Sequence, residues 1–492
     1  MPEKNIRKDS VSIAHSISLN STAIFISEIF SKFGSFIITI FLVRHLGKES
    51  YGLLVFAFTY VEMFLGISNF GVNSIVVREL TILKGKELAY FWRNAFFLRL
   101  ILTGFTLIGA LLAASTFYRH ESNTLAALMW VSLCLLVEIR SIYSSVLIAN
   151  MKPSWSAGVS LAKVFLYAGL ALFFLKLGRG VVGVIQASLA ASFVAMLCDR
   201  ALSKKFLPAG GAIDFNQMKK ILSWSWPLAA SSLLTIMQLR LDIFMLKTFM
   251  HDAEVGSYGV AVRLIEGAYM LSSAVAVAIY PLLSRAFTED RLFWGRLVNI
   301  VLRMLLILSI PFAVIMGPLS APLIHLLFGP NLRDSSSILN ILCYAVPIGY
   351  VNVLLANLLI IGRWQKLEFY ASIATTLTNT LANMILIPAL KGQGAAWATL
   401  LCQIVALITL GLMLYRKSNF NLEYSRLLKL GAVGLICLIL NYALRGMLEW
   451  MFLGVGLLVV FWAFSLMTLD SKEKALARGI VRKIFPWGVE TC

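Results

Sequence analysis

The sequence predicts an all-α integral membrane protein with about 14 transmembrane helices, arranged as two parallel-repeat six-helix lobes around a central cavity plus two extra C-terminal helices. Three observations predict this fold. Of the 492 residues, 59% are hydrophobic and only 14% are charged, whereas soluble proteins carry about 25% charged residues. Apolar segments of bilayer length recur along the whole chain. Short motifs of the first half also recur, in the same order, in the second half.

The predicted spans follow one another with short connections. A transmembrane helix needs about 20 mainly apolar residues, and fourteen segments meet this requirement. Because the connections are short, the sequence leaves little room for a catalytic domain outside the membrane. The spans are predicted at residues 20–43, 51–77, 95–117, 125–149, 156–176, 181–201, 221–248, 257–283, 297–320, 337–361, 369–389, 395–415, 427–445 and 451–469.

Polar connections group these spans into domains. A Pro-Ala-Gly-Gly break between lysines predicts a linker that contains a short amphipathic helix. Lysine and arginine are concentrated in the terminal segments and in alternate connections, so both termini are predicted to lie in the cytoplasm. The predicted domains are a cytoplasmic arm (1–19), an N-lobe with helices 1–6 (20–201), the cytoplasmic linker (202–220), a C-lobe with helices 7–12 (221–415), helices 13–14 (416–470) and a cytoplasmic tail (471–492).

Three motif pairs indicate an internal repeat. Ser50-Tyr51-Gly52 recurs as Ser257-Tyr258-Gly259, 207 residues later. Two weaker matches follow in the same order, and each half has six spans that begin on the same side, so the repeats are parallel. Two such bundles favour an alternating-access transporter. The weaker matches pair residues 149–153 with 361–364 and residues 180–183 with 394–397.

Away from the last three residues of each span, twelve charged residues fall inside the first nine predicted spans. A charge near the bilayer centre costs about 2.5–3.5 kcal/mol on insertion scales, so such residues face protein, water or a substrate. This concentration in the early helices of the two halves predicts a shared polar cavity. The twelve residues are Glu28, Lys32, Glu62, Arg99, Glu138, Arg140, Lys163, Arg240, Asp242, Arg263, Glu266 and Arg303.

Four of the cations are predicted to line the cavity and to bind an anionic cargo: Lys32, Arg140, Arg240 and Arg263. Lys32 lies near the middle of its span, and Arg240 is its approximate equivalent in the second half. The other three cations are expected near the cytoplasmic ends of their spans, where a long side chain reaches the headgroups, and are interpreted as structural. They are Arg99, Lys163 and Arg303.

The five buried carboxylates are candidates for proton or cation coupling or for salt bridges inside the cavity, because burial raises a carboxyl pKa. The spacing i,i+4 allows Glu28 to pair with Lys32, and i,i+3 allows the same for Arg263 and Glu266. Neighbours two apart point to different sides of a helix and need partners elsewhere. The five carboxylates are Glu28, Glu62, Glu138, Asp242 and Glu266.

Several classes of function lack their sequence signals. The six cysteines and five histidines show no metal-ligand spacing, and the cysteines are interpreted as small hydrophobic residues. No phosphate-binding loop or hydrolase motif is present. The net charge of +19 is spread over short connections rather than gathered on a soluble face, which argues against nucleic acid as a partner. The sequence therefore predicts a secondary transporter without a cofactor or metal, in which a proton or sodium gradient drives the cargo.

Motifs in both halves resemble a known family. Residues 42–52 (LVRHLGKESYG), 68–72 (SNFGV) and Arg78-Glu79 resemble the opening of polysaccharide-biosynthesis flippases of the multidrug/oligosaccharidyl-lipid/polysaccharide (MOP) exporter superfamily. The second half fits the same pattern at Trp226-Pro227, Arg240-Leu241-Asp242, 255–259 and Tyr280-Pro281.

This resemblance implies a flippase of the bacterial inner membrane. The implied cargo is an undecaprenyl-diphosphate-linked oligosaccharide, moved to the external leaflet for O-antigen (lipopolysaccharide), capsule or exopolysaccharide assembly. The implied partners are membrane lipids, a polysaccharide polymerase and other assembly proteins. The resemblance also implies that the apolar helices 13 and 14 form a wall for the lipid tail. Two alternatives within the superfamily stay open: a lipid II flippase and a drug/cation antiporter. A membrane glycosyltransferase is disfavoured by the missing metal motif.

Overall fold

A computed structural model describes residues 2–207, 210–418, 424–443 and 461. Within these residues all regular structure is helical: fourteen α-helices and two short 3-10 turns. The α-helices are α1 (Pro2–Asn69), α2 (Val72–Ile82), α3 (Gly85–Phe117), α4 (Ser122–Ser132), α5 (Cys134–Val137), α6 (Arg140–Ala149), α7 (Pro153–Lys176), α8 (Gly180–Ser203), α9 (Phe215–Phe249), α10 (Asp252–Glu289), α11 (Arg291–Phe328), α12 (Arg333–Ile361), α13 (Gln365–Ser418) and α14 (Tyr424–Ala443).

Ten helices in the described part of the chain are long and apolar enough to cross a membrane, when α4–α6 are taken as one. Two of them are too long for one crossing: Ser27–Asn69 has 43 residues and Gln365–Ser418 has 54, at about 1.5 Å of rise per residue. Each contains one residue with non-helical backbone, Gly47 (φ 76°) in α1 and Lys391 (φ 54°) in α13. We infer that each break separates two spans.

The multi-pass helical fold that the sequence predicts is confirmed. The first twelve predicted spans fall on described helices, and the thirteenth overlaps α14. The fourteenth, 451–469, lies outside the described residues except for Phe461. The count of fourteen is therefore not established.

Packing divides the chain into two compact units, residues 1–244 and 245–492. The boundary falls near the end of α9 and not in the linker at 202–220. Most of α9 consequently packs with the helices that precede it. The assignment of helices 1–6 and 7–12 to two lobes stays a prediction.

A hydrophobic core in the first unit joins α2, α3, α6 and the start of α9. The short helix α2 follows a two-residue left-handed turn, Phe70 (φ 43°) and Gly71 (φ 72°), so α1 ends at Asn69 and not at the predicted residue 77. Burying these side chains stabilises the unit through both the hydrophobic effect and close packing. The core includes Val72, Ile75, Val76, Phe91, Trp92, Leu98, Ile142, Tyr143, Met218 and Ile221.

The linker is fastened to the start of α3. The fully buried Asn94 donates from Nδ2 to the Ala212 carbonyl (3.0 Å) and accepts at Oδ1 from the Asp214 amide (2.7 Å). Gly211 (φ 96°) lies so close that a Cβ atom would meet the Ala89 carbonyl oxygen at 2.7 Å. The linker thus has a fixed path over α3.

Asp214 ends the linker and begins α9. Its Oδ1 accepts from the Asn216 amide (2.8 Å), and its Oδ2 accepts from the Tyr90 hydroxyl. The Tyr90 hydrogen bond is the main cause that lowers the pKa of Asp214. The described part of the linker has a 3-10 turn, Lys204–Phe206, and then the first turns of α9 rather than a separate short helix.

The fourth span is broken into α4, α5 and α6. Backbone bonds of the i,i+3 type replace helical ones at the breaks, from Leu136 N to Leu133 O (3.1 Å) and from Ser141 N to Glu138 O (3.0 Å). These breaks place Glu138 between two helical segments rather than inside one.

The second unit packs α10, α11, α12 and α13 closely. At Gly349 of α12, an added Cβ atom would collide with the ring and hydroxyl of Tyr269, so glycine lets the tyrosine pack closely here. The Tyr350 hydroxyl donates to the Ala268 carbonyl at 2.5 Å. These two tyrosines join α10 to α12.

A side chain of α14 supplies a hydrogen bond that a carbonyl of α11 lacks. Pro318 has no amide hydrogen, which leaves the Val314 carbonyl without its helical donor. Asn441 Nδ2 donates to that carbonyl at 2.9 Å. In a bilayer every backbone polar group needs a protein partner, so Asn441 anchors α14 at the proline of α11.

Candidate functional site

Three ion pairs lie in the membrane-spanning part of the first unit. The Arg240 Nε atom is 2.5 Å from Glu62 Oε2, Arg140 Nε is 2.8 Å from Asp199 Oδ2, and Lys163 Nζ is 3.4 Å from Glu138 Oε1. Each pair joins different helices. Together with the buried Arg99, these side chains form the candidate site.

The pair of Glu62 and Arg240 sits where α9 lies against the second segment of α1. Two glycines, Gly66 of α1 and Gly71 in the turn after it, allow this approach: a Cβ atom at Gly71 would meet both Leu228 Cβ and the Ser225 carbonyl oxygen at 2.8 Å. The contacts advance along α9 as they retreat along α1, so the two segments are antiparallel. The contacts are Gly71 with Ser225 and Leu228, Gly66 with Leu233 and Ile236, Glu62 with Arg240, and Phe56 with Phe244.

Arg140 links α6 to α7 and α8. Its guanidinium faces Asp199 and donates from NH2 to the Ser160 hydroxyl at 2.6 Å. Asp199 is 0% exposed. Sequence reasoning missed Asp199 because it lies at the end of its predicted span beside Arg200, where a charge looks solvated. A buried carboxylate keeps its charge only with a cation in contact, so Arg140 and Asp199 depend on each other.

Glu138 and Lys163 form the more open pair. Their side chains are 31% and 26% exposed. Glu138 and Arg140 are two residues apart and find partners on different helices, as their spacing predicts. Lys163 was interpreted as a headgroup-seeking lysine, but it binds a carboxylate of the fourth span instead.

Arg99 is buried in the first unit with 1% of its surface exposed. Its NH1 donates to Ser68 Oγ (3.0 Å) and its NH2 to Ser141 Oγ (3.4 Å), while its Nε has no hydrogen-bond partner. The expectation that Arg99 and Arg303 reach the headgroups is wrong, because Arg303 is also 1% exposed and donates to the Asn299 carbonyl.

Glu28 and Lys32 do not pair. Both side chains are exposed on α1, and no hydrogen bond or ion pair within the described chain involves either of them. Among the four predicted cavity cations, Lys32 is the one without a carboxylate partner in the described residues.

The predicted residues of the second half are arranged differently. Arg263 NH1 and Glu266 Oε2 are 3.0 Å apart, one turn apart on α10 and each more than one-third exposed. Asp242 of α9 is buried at 5% exposure. Lys247, which the sequence reasoning did not select, is buried and pairs with Asp252 (3.0 Å).

The interiors of α12 and α13 hold neutral polar groups. Asn352 Nδ2 donates to the Gln403 carbonyl (2.9 Å) and to its side-chain Oε1 (2.7 Å). Asn383 donates to Asn379, and both are buried. Over the residues that the structure describes, no group of three or more His, Cys, Asp or Glu side chains could hold a metal ion.

An apolar groove of about 490 Å³ lies between α4–α5 and α8 in the first unit. Its floor includes the first break of the fourth span, next to Glu138. The lining residues are Trp130, Leu133, Leu136, Val137, Gln186, Leu189, Ala190, Phe193 and Met196.

Comparison with known families decides the family. The profile described as polysaccharide biosynthesis protein matches residues 17–287, more than half of the chain. This chain belongs to the polysaccharide biosynthesis protein family. The match contains every residue of the three ion pairs and Arg99. The MatE profile matches residues 227–385 of this polysaccharide biosynthesis protein.

A curated relative covers most of the length. The probable low-salt glycan biosynthesis flippase Agl15 of Haloferax volcanii is 22% identical over 392 residues, which is 78% of this chain and 80% of the relative.

Solved structures of transporters share the fold. The lipid II flippase MurJ in an inward closed conformation superposes with a TM-score of 0.72 and 17% identity, over 94% of this chain and 100% of that chain. An inward-facing multidrug resistance MATE family transporter of the MOP superfamily gives 0.64 and 16%, over 79% and 94%. The polysaccharide biosynthesis protein thus has the fold of MOP superfamily transporters, and the superfamily indicated by the sequence motifs is confirmed.

Proposed function

We propose that this protein is a flippase that moves undecaprenyl-diphosphate-linked oligosaccharide repeat units from the cytoplasmic to the external leaflet, for O-antigen, capsule or exopolysaccharide assembly. The observation that carries the proposal is the set of cations within the spans of a polysaccharide biosynthesis family member. Lys32 is exposed without a carboxylate partner, and Lys163 is partly exposed beside its partner. Cations at membrane depth are retained where they bind a substrate or ion.

The chemistry of these side chains suits a diphosphate. Lysine binds phosphate as a point charge, and arginine binds it through paired N–H donors. In the first unit, Arg99, Arg140 and Lys163 face Glu138 and Asp199, which leaves one positive charge without a carboxylate. An anionic cargo group would neutralise it. A cationic drug would be repelled by this positive charge.

We infer that transport proceeds by alternating access, driven by a proton or sodium gradient. Glu62, Glu138, Asp242, Glu266 and Glu28 remain the candidates for coupling. Both termini are proposed to be cytoplasmic, in a bacterial inner membrane.

Complementation tests the proposal. The gene is deleted, lipid-linked intermediates and surface polysaccharide are measured, and the wild-type gene or a variant is returned. We expect the deletion to accumulate an undecaprenyl-linked repeat unit and to lose surface polymer. Unchanged polysaccharide with cell lysis would instead favour lipid II as cargo, which the MurJ-like fold makes the second candidate. Sensitivity to cationic drugs alone would favour drug/cation antiport.

Lys32→Ala and Arg240→Ala should each lower transport by about 10- to 100-fold, the range for a hydrogen bond to a charged group, while the protein still inserts. Lys32→Arg should keep activity, and Lys176→Ala, at the exposed end of α7, is the matched control. Normal polymer output with both cations removed would reject their role in cargo binding.

A further inference from the structure

Arg99 is a buried cation that lacks a carboxylate in contact. It is held by the hydroxyls of Ser68 and Ser141, and its Nε donates to nothing. A buried guanidinium without an anion in contact is costly. Arg99 would therefore be stabilised if a carboxylate came into contact with it.

Glu138 is linked to Arg99 through the side chain of Ser141. The Ser141 hydroxyl that accepts from Arg99 also donates to the Glu138 carbonyl oxygen at 2.8 Å. In this structure, however, the Glu138 carboxylate is directed to Lys163, at 3.4 Å, the longest of the three ion pairs.

The backbone at Glu138 permits a change of direction. Glu138 lies between α5 and α6: its amide keeps a helical bond to the Cys134 carbonyl, but its own carbonyl accepts a turn-type bond from the Ser141 amide. A side chain at such a break can be redirected by small changes in backbone angles, whereas one inside a helix is fixed by the preceding turn. Lys163 sits inside α7 and is partly exposed, so an anion from outside the protein can reach it.

We propose that Glu138 is a relay between two cations: a phosphate group of the lipid-linked cargo binds Lys163, and the released Glu138 carboxylate moves to Arg99. This inference rests on the proposed function. It adds Lys163 as the residue that binds the phosphate and Glu138 as the residue that changes its partner when the phosphate binds. Lys163 becomes a cargo-binding residue. Arg99 becomes a positioning residue, because it acts on the cargo only through Glu138.

The relay predicts a coupling that a fixed salt bridge does not. If Arg99 draws Glu138 away from Lys163, then removing the charge of Arg99 strengthens the competition of Glu138 with phosphate. Arg99→Met should therefore weaken binding of polyprenyl diphosphate by about tenfold, within the range of energetic couplings between neighbouring residues. In a Glu138→Gln background the same change should have no effect. Lys163→Gln should weaken binding in either background.

Binding is measured on the full-length protein in lipid nanodiscs, with polyprenyl diphosphate, polyprenol and inorganic pyrophosphate as the three probes. Arg99→Met is chosen because replacing a buried ion with an apolar residue is often tolerated. Should it not fold, Ser141→Ala removes the hydroxyl between Arg99 and Glu138 and should weaken binding by about threefold, again only when Glu138 is present. Lys176→Gln, at the other end of α7, is the control that keeps wild-type affinity.

Equal effects of Arg99→Met with and without Glu138, or no effect in either background, would overturn the relay. Pyrophosphate that binds as tightly as polyprenyl diphosphate would overturn the lipid-linked cargo as the source of the phosphate. A parallel assay of oligosaccharide flipping in vesicles separates the two proposals: no flipping by the wild type rejects the proposed function, whereas flipping with additive effects rejects the relay alone.

Discussion

The first unit carries ion pairs in its membrane interior, whereas α12 and α13 of the second unit carry amides and hydroxyls. Arg140 and Asp199 join three helices in the first unit. In the second unit, a hydrogen bond between Asn352 and Gln403 joins α12 to α13. The sequence predicts an internal repeat of helices, and the contrast teaches that such a repeat need not extend to their buried chemistry.

This difference has an energetic side. Interhelical hydrogen bonds between neutral groups in membranes contribute about 0.6 kcal/mol on average. Breaking a buried ion pair by removing one partner costs about 3–5 kcal/mol, because the remaining charge is left without a partner. The pair of Arg140 and Asp199 should thus be more sensitive to single substitutions than the amides of α12 and α13.

Arg140→Ala should have the largest effect. It leaves the fully buried Asp199 without its cation, so we expect a loss of about 3–5 kcal/mol of stability. Thermal unfolding of the detergent-solubilised protein measures it. The double variant Arg140→Met/Asp199→Asn removes both charges and should recover most of the loss. An unfolding temperature equal to that of the wild type would show that Asp199 is already neutral, and the contrast between the units would lose its basis.

Gly71→Ala should come next, because two effects act together. Its φ of +72° disfavours a side chain, and the new Cβ atom would meet Leu228 and Ser225 of α9. Gly85→Ala is the matched control: its φ is +58°, but it has open space around it, so it should lose only the roughly 1 kcal/mol of left-handed strain. We expect Gly71→Ala to lose clearly more in the same unfolding assay. Equal losses would mean that α9 does not press on this turn.

Asn441→Leu tests the second unit and should have a smaller effect, about 0.6–1.7 kcal/mol. It removes the donor to the Val314 carbonyl that Pro318 leaves free. Asn357→Leu is the control, because Asn357 donates to the Val353 carbonyl of its own helix. A loss at Asn441 as large as that of Arg140→Ala would contradict the ranking of charges over amides.

The smallest effect is expected in the linker. The Tyr90 hydrogen bond lowers the pKa of Asp214. A carboxyl with a lowered pKa stabilises the folded state above its unfolded pKa, and this contribution is lost as the pH falls through the lowered value. Pepsin cleavage of the linker should therefore increase as the pH falls below about 4. Tyr90→Phe should start to be cleaved at higher pH than the wild type. Identical profiles would reject this hydrogen bond as a fastening.

Much of the fold follows from composition and length alone. Apolar segments of bilayer length mark α7 and α8 almost to their ends, because a bilayer forces helix wherever a long apolar segment crosses it. The breaks were less accessible. Gly71 turns the chain within a predicted span, and Glu138 interrupts another, because of local packing that hydropathy does not measure.

The charges were predictable as a set but not as partners. Spacing along one helix predicted the pair of Arg263 and Glu266, yet the same rule failed for Glu28 and Lys32. Partners on other helices depend on how the helices rotate and cross, which no local pattern contains. Asp199 shows the limit most clearly, since its burial comes entirely from the helices around it.

The packing of α9 on α1 separates two boundaries that usually coincide. The repeat predicted from the sequence changes at the linker, whereas the compact units change at residue 244. If the protein is expressed as two complementing fragments, the chain should therefore be divided at the turn after Phe249, before α10, and not in the linker. Fragments cut at the turn each keep their own core. A cut in the linker would instead separate α9 from α1. It would expose the surface of α1 that contacts α9 in one fragment, and the matching surface of α9 in the other.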